Sequence, residues 1–167
     1  MKLKILNLEF DSKYFYIQSE SIVEKITFNN RSFYSKFKRV QAPITAPLLS
    51  QHYNNDLTLA LPLIKENNSV DYLVIEYQNS DWKTFQSLLQ YLLKSLHIKQ
   101  YFPYYNSNKE LFQLFIKREK NDLESAYLEV ENIKSLLNLK SKKSYKIYPN
   151  INLPKNYNII TLPIQKV

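Results

Sequence analysis

The chain has 167 residues, a formal net charge of +8 and 44% hydrophobic residues, with neither cysteine nor glycine. The length fits one domain, or one compact unit of two halves, with enough apolar content for a core. Absent cysteine excludes disulfides, thiolate zinc sites and thiol nucleophiles; absent glycine excludes P-loops, dinucleotide fingerprints and nucleophile elbows in standard form, because each needs positive φ or close backbone approach.

No apolar run is long enough to cross a bilayer. The opening MKLKILNLEF meets an acid at Glu9 and has no small-residue cleavage site, so it reads as a strand and not a signal peptide. A cytoplasmic protein without membrane insertion is expected. The positive balance favours anionic partners. Solvated lysine from AT-rich coding is the competing explanation, since Lys, Asn, Ile and Tyr are abundant and Arg is scarce.

In chain order, 2–10 and 13–18 read as short strands. Residues 22–28 and 31–37 flank Asn29-Asn30, a hairpin signal in which asparagine takes the positive φ that glycine would supply. Pro43 and Pro47 limit the next helix to a short one, from Ile44 or Ala46 to Tyr53. Residues 58–64 are extended, and a boundary between halves falls near 65–69. Residues 70–77 form a strand. Ser80 or Asp81 then caps a helix that buries Trp82, Phe85, Leu88, Leu89, Leu92, Leu93 and Leu96. Strands at 100–105 and 110–117 follow, joined by 106-NSNK-109. A second helix starts at Asn121 or Asp122, and strands at 145–149 and 157–163 complete the chain. The order from residue 70 is βαββαβ, the split βαβ or ferredoxin-like arrangement. A single compact domain over 1–167 is expected. Its N-terminal half is 1–66, and its palm-like half is 67–167 with the final strand included.

Side chains alternate faces along a strand. Leu73, Ile75 and Tyr77, with Phe112, Leu114 and Ile116, form the apolar set expected beneath the helices. The opposite face carries Tyr72, Glu76, Gln78, Gln113, Phe115 and Lys117. Glu76 and Gln78 hold the spacing at which metal-dependent nucleotide enzymes often place two aspartates.

The pattern of hydrophobic strand, acid, spacer, acid or amide, turn and helix resembles an uncharacterised epsilonproteobacterial, hence bacterial, domain family. So do 23-VEKITFNNRSFYSKFKRVQAP-43, 59-LALPL-63 and 146-KIYPNINLPKNYNIITLP-163. The fold of that family is similar to the archaeo-eukaryotic primase (prim-pol) catalytic domain. The resemblance implies an α+β, prim-pol-like fold, with a ferredoxin/RRM-like βαββαβ C-terminal half packed on an N-terminal half that contains a β-hairpin. In prim-pol enzymes an Asp-x-Asp pair holds divalent metals, and a Ser/Gly-rich segment with a histidine contacts the nucleotide. Here the acid pair falls on Glu76 and Gln78, and the nucleotide segment on 106-NSNKELFQL-114, with Gln113 where the histidine is expected. One glutamate among neutral amides is a weak metal site. Glu76, Gln78 and Gln113 therefore read as vestiges, and the pattern argues against an enzyme and against a bound cofactor.

Arg31, Lys36, Lys38 and Arg39 are interleaved with Phe33, Tyr34 and Phe37, a mixture suited to nucleic acid. Alternating solvated charges on a core hairpin would give the same pattern. Lys117, Arg118 and Lys120 form a second basic group. His52 and His97 sit at helix ends, where the dipole favours a positive imidazole. The expected function is a catalytically degenerate module that binds nucleic acid or a protein partner. Two alternatives stay open: a residual nucleotidyltransferase, with Mg²⁺ on Glu76 as its only carboxylate, and a structural subunit of a larger assembly.

Overall fold

Strand and helix signals alternate along the chain, and the architecture is mixed α+β, seen here in a computed structural model that describes residues 2–167, the Lys120 side chain excepted. The elements in order are β1 (Lys2–Ile5), β2 (Leu8–Asp11), β3 (Phe15–Gln18), β4 (Glu24–Phe28), β5 (Arg31–Ser35), β6 (Phe37–Val40), α1 (Ala46–Tyr53), β7 (Leu59–Pro62), β8 (Ser69–Gln78), α2 (Trp82–Ser95), β9 (Tyr101–Asn106), β10 (Leu111–Asp122), α3 (Leu123–Lys140), β11 (Lys146–Tyr148) and β12 (Ile159–Thr161). The chain divides into two compact units. The first is Met1–Pro62 with Ile151–Ile164; the second is Leu63–Asn150 with Gln165–Val167. No helix among the described residues is long and apolar enough to cross a membrane.

The first unit is built on a four-stranded antiparallel sheet of order β12-β7-β3-β6, with β1–β2 and β4–β5 as separate two-stranded sheets. Its core gathers Ile5, Phe15, Ile44, Leu59, Leu61 and Leu162. Burying each of these side chains contributes roughly 1.5–3 kcal/mol. Three sequence expectations change here. The stretch 2–10 is a hairpin and not one strand, because Leu6 turns the chain at φ 54°. The strand from Arg31 ends at Ser35, whose hydroxyl accepts the Phe37 N–H at 3.1 Å. The following strand, with Lys38 and Arg39, leaves the hairpin and pairs with β3. The final strand, expected with the C-terminal half, lies against β7, where Leu162 fills the core.

Without glycine, left-handed backbone falls to other residues. Asn29, Asn30, Asn55 and Asn68 take positive φ, as do Leu6, His97 and Glu110. Asparagine tolerates this region through local hydrogen bonds of its short side chain. Asn29 and Asn30 together make the two-residue turn between β4 and β5. Asn55 ends α1: its N–H bonds to the His52 carbonyl at 3.0 Å, and that of Asp56 to Gln51 at 2.9 Å. His97 ends α2 in the same way, through Lys94 at 3.1 Å and Ile98 to Leu93 at 2.9 Å. Both helices thus stop with the paired-bond motif that usually employs glycine.

The second unit runs β8-α2-β9-β10-α3-β11, and its sheet has the order β11-β8-β10-β9, antiparallel throughout. Renumbered within the unit this is 4-1-3-2, the split βαβ arrangement. Tyr77 and Phe112 are opposite in register, and both rings pack on Phe85 of α2, at 4.3 and 6.4 Å between centroids. The apolar face expected beneath the helices is therefore the one that lies there. Ala126, Val130, Ile133 and Leu137 are the buried stripe of α3. Residues 165–167 lie along the outer edge of β9: Tyr105 donates to the Gln165 carbonyl at 2.9 Å, and Val167 to Pro103 at 3.2 Å.

Candidate functional site

The strand register brings Glu76 and Gln113 together and leaves Gln78 apart. Glu76 of β8 is opposite both Gln113 of β10 and Lys146 of β11, and Gln113 is opposite Tyr104 of β9. One polar row, Lys146-Glu76-Gln113-Tyr104, therefore crosses all four strands on the face away from the helices. The neighbouring row is Tyr148, Val74, Phe115 and Phe102. Gln113 Nε2 donates to Glu76 Oε2 at 2.8 Å. Burial pushes the Glu76 carboxyl up, opposed by the Gln113 hydrogen bond and then by the Lys146 charge. Burial, followed by the charge of Glu76, also pushes the Tyr148 hydroxyl up.

Gln78, at the exposed end of β8, spends its amide elsewhere: Nε2 donates to the Lys109 carbonyl at 2.8 Å. It pins the turn between β9 and β10. Asn106 is buried there, and its Oδ1 accepts the Asn108 N–H at 3.1 Å. Burial pushes the Lys109 amine down. The segment 106–114 is thus a self-bonded turn followed by a strand. Asp71, the other acid of β8, is bound to Lys65 at 2.5 Å. Among the described residues no three His, Asp or Glu side chains gather to hold a metal ion. A lone carboxylate already bonded to an amide does not fit a divalent cation, which needs several oxygen donors and charge compensation. Tyr72, Val74, Tyr104, Gln113 and Phe115 are each buried.

The basic residues separate into two classes. Lys117 is paired with Glu119 at 3.2 Å. Arg118 grips Glu129 through Nη2 at 2.6 Å and Nε at 2.8 Å, and its Nη1 donates to the Lys117 carbonyl at 3.0 Å. Both charges thus have a carboxylate partner within the unit. The Lys120 side chain lies outside the described residues. Arg39 is engaged too: its guanidinium lies 3.6 Å from the Tyr14 ring centre, and Nη2 donates to Gln41 at 3.1 Å. Arg31, Lys36 and Lys38 are exposed, with no carboxylate within ion-pair distance among the described residues.

The ribbon β4–β5 organises the exposed set. Ile26 opposes Phe33 and Phe28 opposes Arg31; Lys25 opposes Tyr34 and Thr27 opposes Ser32. On the first face Phe33 packs edge-on against Tyr157 at 6.5 Å and against Phe28 at 6.4 Å. Burial and then the Glu24 charge push the Tyr157 hydroxyl up, which places Glu24 at the base of the ribbon. The second face is open. Tyr34 is 57% exposed, and the Lys25 ammonium lies 5.6 Å from its ring centre. Residues 1–72 match a domain of unknown function (DUF1882). That span holds the ribbon, α1 and β7, but stops short of β12, which completes the sheet. No curated protein matches the chain.

Two groups of the sequence had no signal pointing to their roles. His52 is not a charged helix-end residue but a buried brace, 2% exposed. Its Nδ1 accepts the Leu59 N–H at 3.1 Å, so the imidazole is neutral there, and Nε2 donates to the Leu162 carbonyl at 2.9 Å. Leu162 N–H returns to the Leu59 carbonyl at 2.9 Å, closing the ring of bonds. The second group is Asp81, which accepts from the Tyr77 hydroxyl at 2.6 Å and from Lys143. Both partners hold the Asp81 carboxyl below the usual range, Lys143 most. Burial, then Asp81, pushes the Tyr77 hydroxyl up to about 12. A histidine before an apolar strand, and an aspartate 62 residues from its lysine, carry no local periodicity that would reveal either contact.

Proposed function

We propose that the protein is a prim-pol-like α+β module that performs no catalysis and binds nucleic acid through the β4–β5 ribbon and the adjoining Lys36 and Lys38. The observation that carries this reading is the set of exposed cations at Lys25, Arg31, Lys36 and Lys38, none in an ion pair among the described residues, while Lys117 and Arg118 are both neutralised. Phosphates would take up charges that the fold leaves unpaired. The βαββαβ unit with sheet order 4-1-3-2 supports the palm-like half of the resemblance. The Glu76–Gln113 pair supports the loss of catalysis, because the only acid of the motif is bonded to an amide.

The test is fluorescence anisotropy with labelled DNA, with and without Mg²⁺ and nucleotide. Phosphate contacts by the three lysines imply a log–log salt slope of about −2.7, or roughly 40-fold weaker duplex binding between 50 and 200 mM salt. Metal and nucleotide should change nothing. Lys36→Glu with Lys38→Glu should abolish binding, whereas Lys117→Ala should leave it intact. Binding that requires Mg²⁺ and vanishes in Glu76→Gln would restore the enzyme reading, and no binding at low salt would remove nucleic acid as the partner.

A further inference from the structure

The ribbon also has a shape and a distribution of rings that bear on which nucleic acid it takes. A single-strand platform needs several open aromatic faces, since each stacked base contributes through a ring. The ribbon carries three rings, and two of them are turned inward: Phe28 and Phe33 pack on each other, and Phe33 on Tyr157. Tyr34 alone lies open, with Lys25 over its ring. The far end is different in kind. Asn29 and Asn30 form the turn beyond the last pair Phe28–Arg31, and all three of Asn29, Asn30 and Arg31 are exposed. From the Ile26–Phe33 pair, where Tyr157 supports the ribbon, to the turn is on the order of 10 Å at the usual rise of a strand. The major groove of B-form DNA is about 12 Å wide and about 8.5 Å deep, and it admits a two-stranded ribbon. Arginine and asparagine are the side chains that read guanine and adenine there in two-point fashion.

We infer that the β4–β5 ribbon enters the major groove of duplex DNA, with the Asn29-Asn30-Arg31 turn at the base edges and Lys25, Lys36 and Lys38 on flanking phosphates. Charge complementarity commits the site to a polyanion, and the near absence of open rings commits it to a double helix. The major groove of A-form RNA is deep and narrow and closes to such a ribbon. The inference rests on the nucleic-acid reading above and sharpens it.

The experiment is anisotropy of the full chain with a single strand, the matching DNA duplex and the matching RNA duplex, at one salt concentration. Duplex DNA should bind at least about tenfold more tightly than either competitor. Arg31→Ala should lower duplex affinity about tenfold with native circular dichroism, and Tyr34→Ala should lower it less. Equal or tighter single-strand binding, with Tyr34→Ala the more damaging change, would overturn the groove while keeping nucleic acid as the partner. Equal binding of the RNA duplex would also overturn it, as would an unchanged affinity in Arg31→Ala. No binding to any probe would overturn both readings together.

Discussion

Replacing Glu76 by glutamine separates a vestigial carboxylate from a working one. In the folded protein Glu76 accepts from Gln113 Nε2 at 2.8 Å, and burial disfavours its charge. Glutamine keeps an acceptor for that amide and removes the desolvated charge, so Glu76→Gln should change stability at pH 7 by less than about 1 kcal/mol, in either direction. Glu76→Ala leaves the buried Gln113 amide without that acceptor, and should cost about 1–3 kcal/mol, with a further loss for the vacated space. The pH dependence gives an independent sign. A carboxyl whose folded value is raised binds its proton more tightly folded than unfolded. Its contribution is therefore fully present below the ordinary glutamate value of about 4.3 and is lost as pH rises through the folded value. On acidification from pH 7 the native protein should gain stability relative to Glu76→Gln, with a slope of at most about 1.4 kcal/mol per pH unit. Urea unfolding of both proteins across that range measures the difference, in which the other titrating groups cancel. A loss above about 2 kcal/mol in Glu76→Gln at pH 7, or a difference of opposite slope, would refute the reasoning.

His52→Ala should be far more costly than its place on a short helix suggests. It strips partners from the Leu59 N–H and the Leu162 carbonyl, both within the core, for a total of about 2–6 kcal/mol; a urea midpoint close to that of the native protein would count against the brace. Leu6→Gly should stabilise, because a leucine at φ 54° bears a left-handed penalty of about 1–2 kcal/mol, and glycine returns part of that as unfolded-state entropy. A gain of about 0.5–1 kcal/mol in thermal unfolding is expected, and a loss would show that the partly exposed Leu6 side chain contributes packing that outweighs the strain.

The second unit was more legible in the sequence than the first. Its helices announce themselves through apolar stripes at helical spacing, and its long strands through apolar runs bounded by turn residues, so the βαββαβ order could be written from the pattern, and face alternation then gave the helix-facing set Leu73, Ile75, Tyr77, Phe112, Leu114 and Ile116. Strands of four residues carry too little period to fix a partner. That is why the separate pairings of β5 and β6 and the turn at Leu6 were missed: Ser35 ends one strand by a local hydrogen bond, and Leu6 adopts a conformation its side chain disfavours. The pairing of β12 with β7 depends on a contact about 100 residues distant in sequence, which no local pattern encodes. At the candidate site, alternation put Glu76 and Gln113 on one face, but their direct pairing across β8 and β10 came from the register, which the sequence did not set. The partners of Arg118, Lys117 and Arg39 were equally hidden, because a basic residue beside an aromatic or an acid reads the same whether its charge is paired or open.

The disposition of that charge bears on where a polyanion would be taken up. The first has nine basic and five acidic residues, the second fourteen and ten, so each has an excess of four. In the second, Lys65, Lys117, Arg118, Lys134 and Lys143 each meet a carboxylate. In the first, Lys4 meets Glu9, and Glu24 opens β4 at the ribbon base. Both units keep their excess of four, and Lys83, Lys94, Lys99, Lys140, Lys142 and Lys146 are exposed in the second, but only the first sets its exposed cations along one ribbon and the strand that follows it. An open cluster raises the self-energy of the fold, and a polyanion that displaces its own counterions relieves that cost. The ribbon, with its base anchored on Tyr157 and its turn free of acids, is where that relief would be largest.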